Sequence, residues 1–533
     1  MSFVFLMISN LITQPPMVNE FSKKHVFTVL FLTLFIKANF SINLAAQPGT
    51  LDNSFGTNGI VTTSLDTFID VGHTMVIQED GKILVGGSTY NSYTTADFAL
   101  LRYNTNGTLD NTFGTNGHVK TTIESRSQGY SIGLQNDGKI LLGGSSNFFI
   151  NIARYHIDGS LDTTFGNGGT VITDVDGYYS ETCKSVVIQD DGKILVGGYG
   201  HHFNNDNPYF MVLRYLENGT LDNTFGTNGV AIGNVGRAES MQIQNDGKIV
   251  IGGSTAQFFA LERYDSNGML DATFGLNGQS ITLFSNGNAN ANSNAHSMSL
   301  QADGKIILGG FSTGNSTKIA LARYLTNGIL DYTFGINGIL VTPFGGSSKG
   351  NALKIQDDGK IIVGGNSGDN ASAVNFALVR YYTDGTLDNT FGIDGKTLTP
   401  IGNSYSSGQA LDLDANGKIV LAGYAYIDSN LNFALARYHG DLTIGLDEAG
   451  INKYISTMYP NPFRASTTIH VNTPVENAEL MVYNANGDMV IQKNGITGQD
   501  IQFNRDHLPQ GIYFFQLIEN NKMITSGKWI IKD

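Results

Sequence analysis

The chain has 533 residues, with 65 glycines, 10 prolines and 15% charged side chains beside 31 phenylalanines and 23 tyrosines; this mixture suits many short strands joined by tight turns and argues against a helical or low-complexity protein. The formal charge is −14, and because the first 46 residues hold three lysines against one glutamate the remainder carries −16, which makes the chain a poor partner for nucleic acid. Cys183 is the only cysteine, so an intramolecular disulfide, a Cys-based zinc site and an iron–sulfur cluster are excluded.

At the N-terminus, Lys23 and Lys24 precede an apolar run from Val26 to Ile36, and Ala45-Ala46 follows a short polar stretch. Residues 1–46 therefore read as a secretory signal peptide, with a run too short to be an integral membrane span. A second apolar stretch and Pro15-Pro16 lie ahead of the charges, and a start at Met17 restores the usual order of charge before apolar run. No cysteine follows the run, which argues against an acylated lipoprotein.

Residues 47–440 repeat one unit seven times. Each copy opens on Leu-Asp-x-x-Phe-Gly, at Leu51, Leu109, Leu161, Leu221, Leu270, Leu330 and Leu387. Each turns at Asp-Gly-Lys, with Asp80 in the first copy and Asn416 replacing Asp in the last, and nearly every turn is followed by a glycine pair such as Gly86-Gly87. Each closes on Arg-Tyr, from Arg102 in the first to Arg437 in the seventh. The first copy holds four candidate strands, Ile60–Thr63, Thr74–Gln78, Lys82–Gly86 and Phe98–Tyr103, expected to form one meander with a type I′ turn at Asp80-Gly81. The continuous apolar run Ile83-Leu84-Val85 implies a strand buried on both faces, and paired glycines imply crowded backbones. Stacked four-stranded antiparallel sheets with these properties make an all-β, seven-bladed β-propeller. An open solenoid is the alternative, at the cost of atypical capping repeats. The expected next copy decays after Tyr438, and its remnant from Gly440 is a candidate to pair with the first blade.

The repeat resembles the delta-60 family, whose units are thought to build bacterial propellers, through its Leu-Asp-x-x-Phe-Gly, Asp-Gly-Lys-Ile and Arg-Tyr elements. Residues present in every copy are best read as scaffold: Arg as an ion-pair partner for the Asp of Leu-Asp, Tyr as packing between blades, and Asp-Gly-Lys as a turn whose lysine faces solvent. Calcium at Asp190-Asp191-Gly192 or Asp357-Asp358-Gly359 lacks the spaced oxygen ligands of a calcium loop. Local function belongs where copies differ, as in Tyr199–Asp206 of the third unit and the Asn-rich stretch from Asn286 to His296 of the fifth. His201, His202, Asp206, Asn290 and His296 are the candidate binding-loop residues. His201, His202 and Asp206 suit zinc only if they sit in a loop, since adjacent strand residues face opposite ways. No catalytic, cofactor or metal motif is present, although propeller enzymes draw catalytic groups singly from several blades and leave no such motif.

After a linker over residues 441–457, residues 458–533 alternate apolar and polar, as in Glu479-Leu480-Met481-Val482-Tyr483, and read as a small C-terminal β-sandwich. Tyr459-Pro460-Asn461-Pro462, the turn at Gly487, the Gly511-Ile512-Tyr513 stretch and the basic finish at Lys528 and Lys532 resemble the C-terminal sorting domain of the type IX secretion system. That resemblance implies a Gram-negative bacterium, the type IX secretion machinery as partner, and release or attachment at the outer cell surface. An ordinary adhesive β-sandwich is the other reading. The chain is thus expected to be a secreted or surface binding module for a glycan or protein, monomeric after export; an extracellular polymer-degrading propeller and a structural surface-layer component are the alternatives.

Overall fold

The structure is a computed structural model that describes residues 46–65, 68–92, 94–284, 292–314, 316–368, 374–441, 456–484, 489–519 and 522–532. The expected signal peptide, most of the linker and Gly487 lie outside the described residues. Every regular element among the described residues is a strand.

Blade two shows the unit: Gln128–Leu134, Ile140–Ser146, Phe149–Tyr155 and Thr170–Thr173 pair in order as an antiparallel meander. Blades three to six are built the same way. The seven first strands, which open at Ile69, Gln128, Tyr178, Arg237, Ser293, Ser347 and Ser406, pack side by side around the axis. The second and third strands are buried along almost their whole length, as in Ile83–Tyr90 and Ala96–Tyr103, because each is sandwiched between neighbouring blades.

Blades do not coincide with sequence repeats, which corrects the expectation that one copy's four strands share a sheet. Ile60–Thr63, the first strand of the first copy, pairs instead with Asn430–Tyr438 of the seventh, Ile60 facing Ala436. Each copy thus supplies the outermost strand of the blade before it, and the N-terminal segment closes the ring. Asp52 N–H donates to the Arg437 carbonyl at 2.8 Å and Gly49 N–H to that of His439 at 2.7 Å. A single parallel pair, Ile69 with Leu431, joins blades seven and one into an eight-stranded sheet. Of the remnant from Gly440 only Gly440 and Asp441 are among the described residues, and Asp441 forms ion pairs with Arg380 at 2.8 Å and Lys360 at 3.1 Å on blade six.

The hairpin turn also differs from expectation. Gln78 pairs with Lys82, and Gly81 has φ of 79° while Asp80 is absent from the positive-φ residues. The loop is therefore a three-residue turn closed by a left-handed glycine, with Asp80 Oδ1 accepting the Lys82 N–H at 3.0 Å. The second glycine of each pair has a different duty. Every first strand carries a β-bulge, between Gly72 and Thr74 in blade one and at equivalent places in the other six. The bulged strand presses a carbonyl against this glycine: a Cβ on Gly144 would lie 1.9 Å from the Gln128 oxygen. Only glycine fits there, and it persists as Gly423 in the copy whose first glycine is Ala422.

In the C-terminal domain, Ser456–Tyr459, Ser466–Asn484, Met489–Asn504, Gly511–Glu519 and Lys522–Ile531 belong to one hydrogen-bonded sheet. The sandwich arises because the two long strands shift register repeatedly between His470 and Leu480, folding the sheet over a core that includes Ile469, Val482, Phe503, Phe515 and Trp529.

The two faces of the ring and the axial mouth

An antiparallel meander sorts its connections. Turns between first and second strands and links between third and fourth strands fall at one end of each blade; turns between second and third strands and crossings to the next blade fall at the other. Both recurring motifs therefore occupy the first end, here called the repeat face.

There each Arg of Arg-Tyr meets the Asp of the following Leu-Asp. Arg154 Nε donates to Asp162 Oδ2 at 2.9 Å, its guanidinium lies 4.5 Å from the Phe165 ring centre, and its Nη1 reaches the Glu217 carbonyl of the next blade. The same ion pair recurs in all seven blades and closes the ring between Arg437 and Asp52 at 2.8 Å. Six of the seven sites thus join charge, ring and backbone contacts, Arg380 donating to Gln356 Oε1 instead, a combination that suits arginine's planar fork and not lysine. The turn lysines are not simply solvent-facing: Lys82 bridges its own Asp80 and Asp110, and Lys418 reaches Asp52 at 2.9 Å. Burial works to raise the Asp110 pKa, but bonds from Thr112 and Lys82 and the adjacent Arg102 hold it well below the usual carboxylate range. The turn carboxylates weighed against calcium are engaged by lysine, Asp191 with Lys193 and Asp358 with Lys360. The paired tyrosines are buried between blades, and Tyr155 donates to Thr121 Oγ1 of blade one at 2.8 Å.

The opposite face carries the variation. The residue extruded by each bulge turns toward the axis, and it differs along the ring: His73, Tyr130, Lys184, Glu239, His296, Asn351 and Gln409. Neighbours touch across blades. The His73 and Tyr130 ring centres are 4.9 Å apart, Lys184 Nζ lies 4.2 Å from the Tyr130 ring centre, and Lys184 pairs with Glu239 at 3.3 Å. Burial pushes His73 down to about 3, with Lys184 adding to the effect, and burial likewise lowers His296. Burial works to lower Lys184, but Glu239 together with Tyr130 and Tyr199 raises it on balance.

Above this ring, a cavity of about 400 Å³ opens between blades four and seven, lined by bulge residues together with Arg237, Asn294, Phe311, Lys349, Tyr405 and Tyr424. Phe311 stacks on His296 at 5.4 Å and Tyr405 on Tyr424 at 6.1 Å. Amides already hold this wall: Asn366 Nδ2 donates to Ser407 Oγ at 2.7 Å and Asn351 Nδ2 to the Gly408 carbonyl at 2.8 Å.

Of the candidate residues, His296 belongs to this mouth, while Asn290 lies outside the described residues. His201 and His202 belong to strand Ile194–His202 rather than to a loop. His201 faces Asp206 at 3.4 Å, and Tyr179 also bonds Asp206, whereas His202 packs against Tyr178 and Tyr209. The two imidazoles do not converge, and among the described residues no group of three or more His, Cys, Asp and Glu is placed to hold a metal ion. Sequence reading missed His73, Tyr130, Lys184, Glu239, Asn351 and Gln409. Aligning the seven copies on the second glycine shows their position to be among the most variable of the first strand, beside the one two residues earlier, which differs in every copy.

The sorting residues have structural roles. Tyr459-Pro460 and Asn461-Pro462 are cis peptides, and Tyr459 is exposed. Asn461 clamps the last strand by donating to the Lys528 carbonyl at 2.8 Å and accepting the Ile530 N–H at 2.9 Å. Gly511 opens a strand opposite Ile531, and buried Tyr513 donates to the Pro509 carbonyl at 3.0 Å. Lys528 is exposed beside Phe514, and Lys532 N–H donates to the Phe463 carbonyl at 3.0 Å.

Fold and end domain together define the class: an all-β exported protein made of a seven-bladed propeller and a secretion tail. More particularly, the chain carries seven repeats of the "Domain of unknown function (DUF5122) beta-propeller" family, matched at residues 78–113, 135–165, 189–225, 244–274, 301–334, 356–391 and 415–444, and a "Secretion system C-terminal sorting domain" at 457–532. That tail marks the chain for the type IX secretion machinery and for export to the cell surface or the medium. No curated protein matches the chain. Similar solved structures include a protein of unknown function from Dyadobacter fermentans (11% identity, 72% of this chain and 98% of that one, TM-score 0.42). Virginiamycin B lyase from Staphylococcus aureus is also similar (10%, 71% and 98%, TM-score 0.42), and no functional reading rests on either. Among the described residues no helix is long and apolar enough to cross a membrane.

Proposed function

We propose that, once its signal peptide is removed and it is exported from a Gram-negative cell, the chain binds a glycan at the axial mouth of its propeller. The observation that carries this reading is the ring of bulge residues. The bulge position takes six different residue types in seven blades, and the cavity above it combines aromatic faces with amides. Aromatic rings offer flat apolar surface to the C–H face of a sugar, while amides pair with hydroxyls; a few oriented polar groups in an aromatic pocket are what small-ligand sites require. The test is a glycan array probed with the full chain and with Phe311→Ala and Tyr424→Ala. Binding that weakens at least about tenfold in both variants is expected, equivalent to about 1.4 kcal/mol. Binding indifferent to both, or silence together with ordered self-assembly, contradicts it and favours a structural role.

One observation favours a second reading, an extracellular enzyme. His73, Tyr130, Lys184 and Glu239 come from four blades and meet in a chain of contacts at the axis, with the His296 imidazole on the next blade within the field of Glu239, which is how dispersed acid–base groups are assembled. Shortening of a bound polymer by the full chain, abolished in Glu239→Gln, supports catalysis; unchanged polymer length supports binding alone.

A further inference from the structure

From the charge of the mouth we infer that its ligand is an acidic glycan carrying carboxylates, a uronate polymer being the simplest case. This rests on the glycan-binding reading above and narrows it. The chain as a whole is strongly acidic, with a formal charge of −14, yet the mouth departs from that sign. Its one carboxylate among the described residues, Glu239, is neutralised by Lys184 at 3.3 Å. Arg237 and Lys349 remain. They occupy equivalent positions on the first strands of blades four and six, each two residues before the bulge residue, and both are exposed. Neither shares an ion pair with a carboxylate among the described residues. Each instead leans over an aromatic ring of the preceding blade, Arg237 at 5.6 Å from the Tyr199 centre and Lys349 at 4.9 Å from that of Phe311.

The seven repeat-face arginines all have an aspartate; two cations without one, on the walls of a single cavity, leave its described lining two charges positive. An arginine and a lysine separated by blade five, with Asn294 and Phe311 between them, fit a sugar whose ring lies on the aromatic face and whose carboxylate meets a guanidinium or ammonium.

The experiment is calorimetric titration of the full chain with polygalacturonate oligomers and with neutral β-glucan oligomers of equal length, at two salt concentrations, for the native chain, Arg237→Gln/Lys349→Gln and Arg237→Lys/Lys349→Arg. The expected result is preferential uronate binding that weakens with salt and falls at least about tenfold in the glutamine variant but not in the charge-preserving one. Both side chains are exposed, and an unchanged thermal midpoint verifies that the variants fold. Equal affinity for neutral oligomers, or uronate affinity untouched by the glutamine variant, overturns the acidic-ligand inference while leaving glycan binding standing. Absence of binding to either oligomer and to the whole array overturns both.

Discussion

The two faces of this ring are built from the same seven copies and put to opposite uses. On the repeat face every blade presents the same arginine, aspartate and phenylalanine, and six of the seven arginines also reach the backbone of a neighbouring blade. On the other face the bulge pushes out one side chain per blade, and the copies diverge at that point. Repetition holds the ring closed; departure from repetition furnishes the mouth. A residue's frequency among the copies thus indicates its face, and the face indicates whether it serves stability or recognition.

The sharpest way to break this comparison is to remove one repeat-face arginine. Arg154→Ala leaves Asp162 buried without its partner, and a destabilisation of about 3–5 kcal/mol is expected in chemical denaturation, whereas Arg237→Ala on the other face should change stability by less than about 0.5 kcal/mol. Equal effects would erase the distinction. Gly144→Ala comes next: a methyl group against the Gln128 carbonyl should cost about 1–3 kcal/mol, read from the same denaturation curves. Gly364→Ala places its methyl near the movable Leu421 side chain, at the position already alanine in blade seven, and should cost no more than about 1 kcal/mol.

The faces should also separate by pH. Asp331, buried at first cost but bonded to Thr333 and beside Arg323, is held at about 2. A lowered carboxylate contributes stability in full above its unfolded value of about 3.9 and loses it as pH falls toward the folded value, so the repeat face should weaken only below about pH 4. His73, lowered to about 3, acts over a higher window. Between its unfolded value of about 6.5 and that folded value, unfolding takes up a proton, so stability drops as pH falls through this range. Thermal midpoints of His73→Gln should therefore fall less than those of the native chain between pH 6.5 and 4 and run parallel to them above pH 7. The smallest effect is expected from His201→Ala/Asp206→Ala, whose contacts are confined to an exposed edge; stability should move by less than about 0.5 kcal/mol.

Much of this was legible in the sequence because repeats report their own scaffold. Leu-Asp-x-x-Phe-Gly, Asp-Gly-Lys and Arg-Tyr recur with enough regularity to fix the blade number and the Arg–Asp pairing. What could not be read was the offset between repeat and blade: Ile60–Thr63 looks equally suited to its own copy or to the last one, and only closure of the ring decides. The turn was misjudged because Asp-Gly fits both a two-residue and a three-residue hairpin, and the choice depends on whether Glu79 or Gln78 faces Lys82. The site was hidden for a related reason. Loop length and unusual composition drew attention to His201 and Asn290, whereas the bulge residues sit inside regular strands, where a variable side chain resembles tolerated surface. A bulge turns such a side chain through the sheet edge, and periodicity alone does not reveal it.

The most direct test is hydroxyl-radical footprinting of the full chain with and without polygalacturonate. Protection of Phe311, Tyr405 and Tyr424 at the axial mouth, with Leu276, Ile336 and Ile393 unchanged, is the expected result; these last three are about 80% exposed on the repeat face and report on any ligand held there. Protection of those three residues with the mouth left reactive would contradict the assignment of recognition to the variable face.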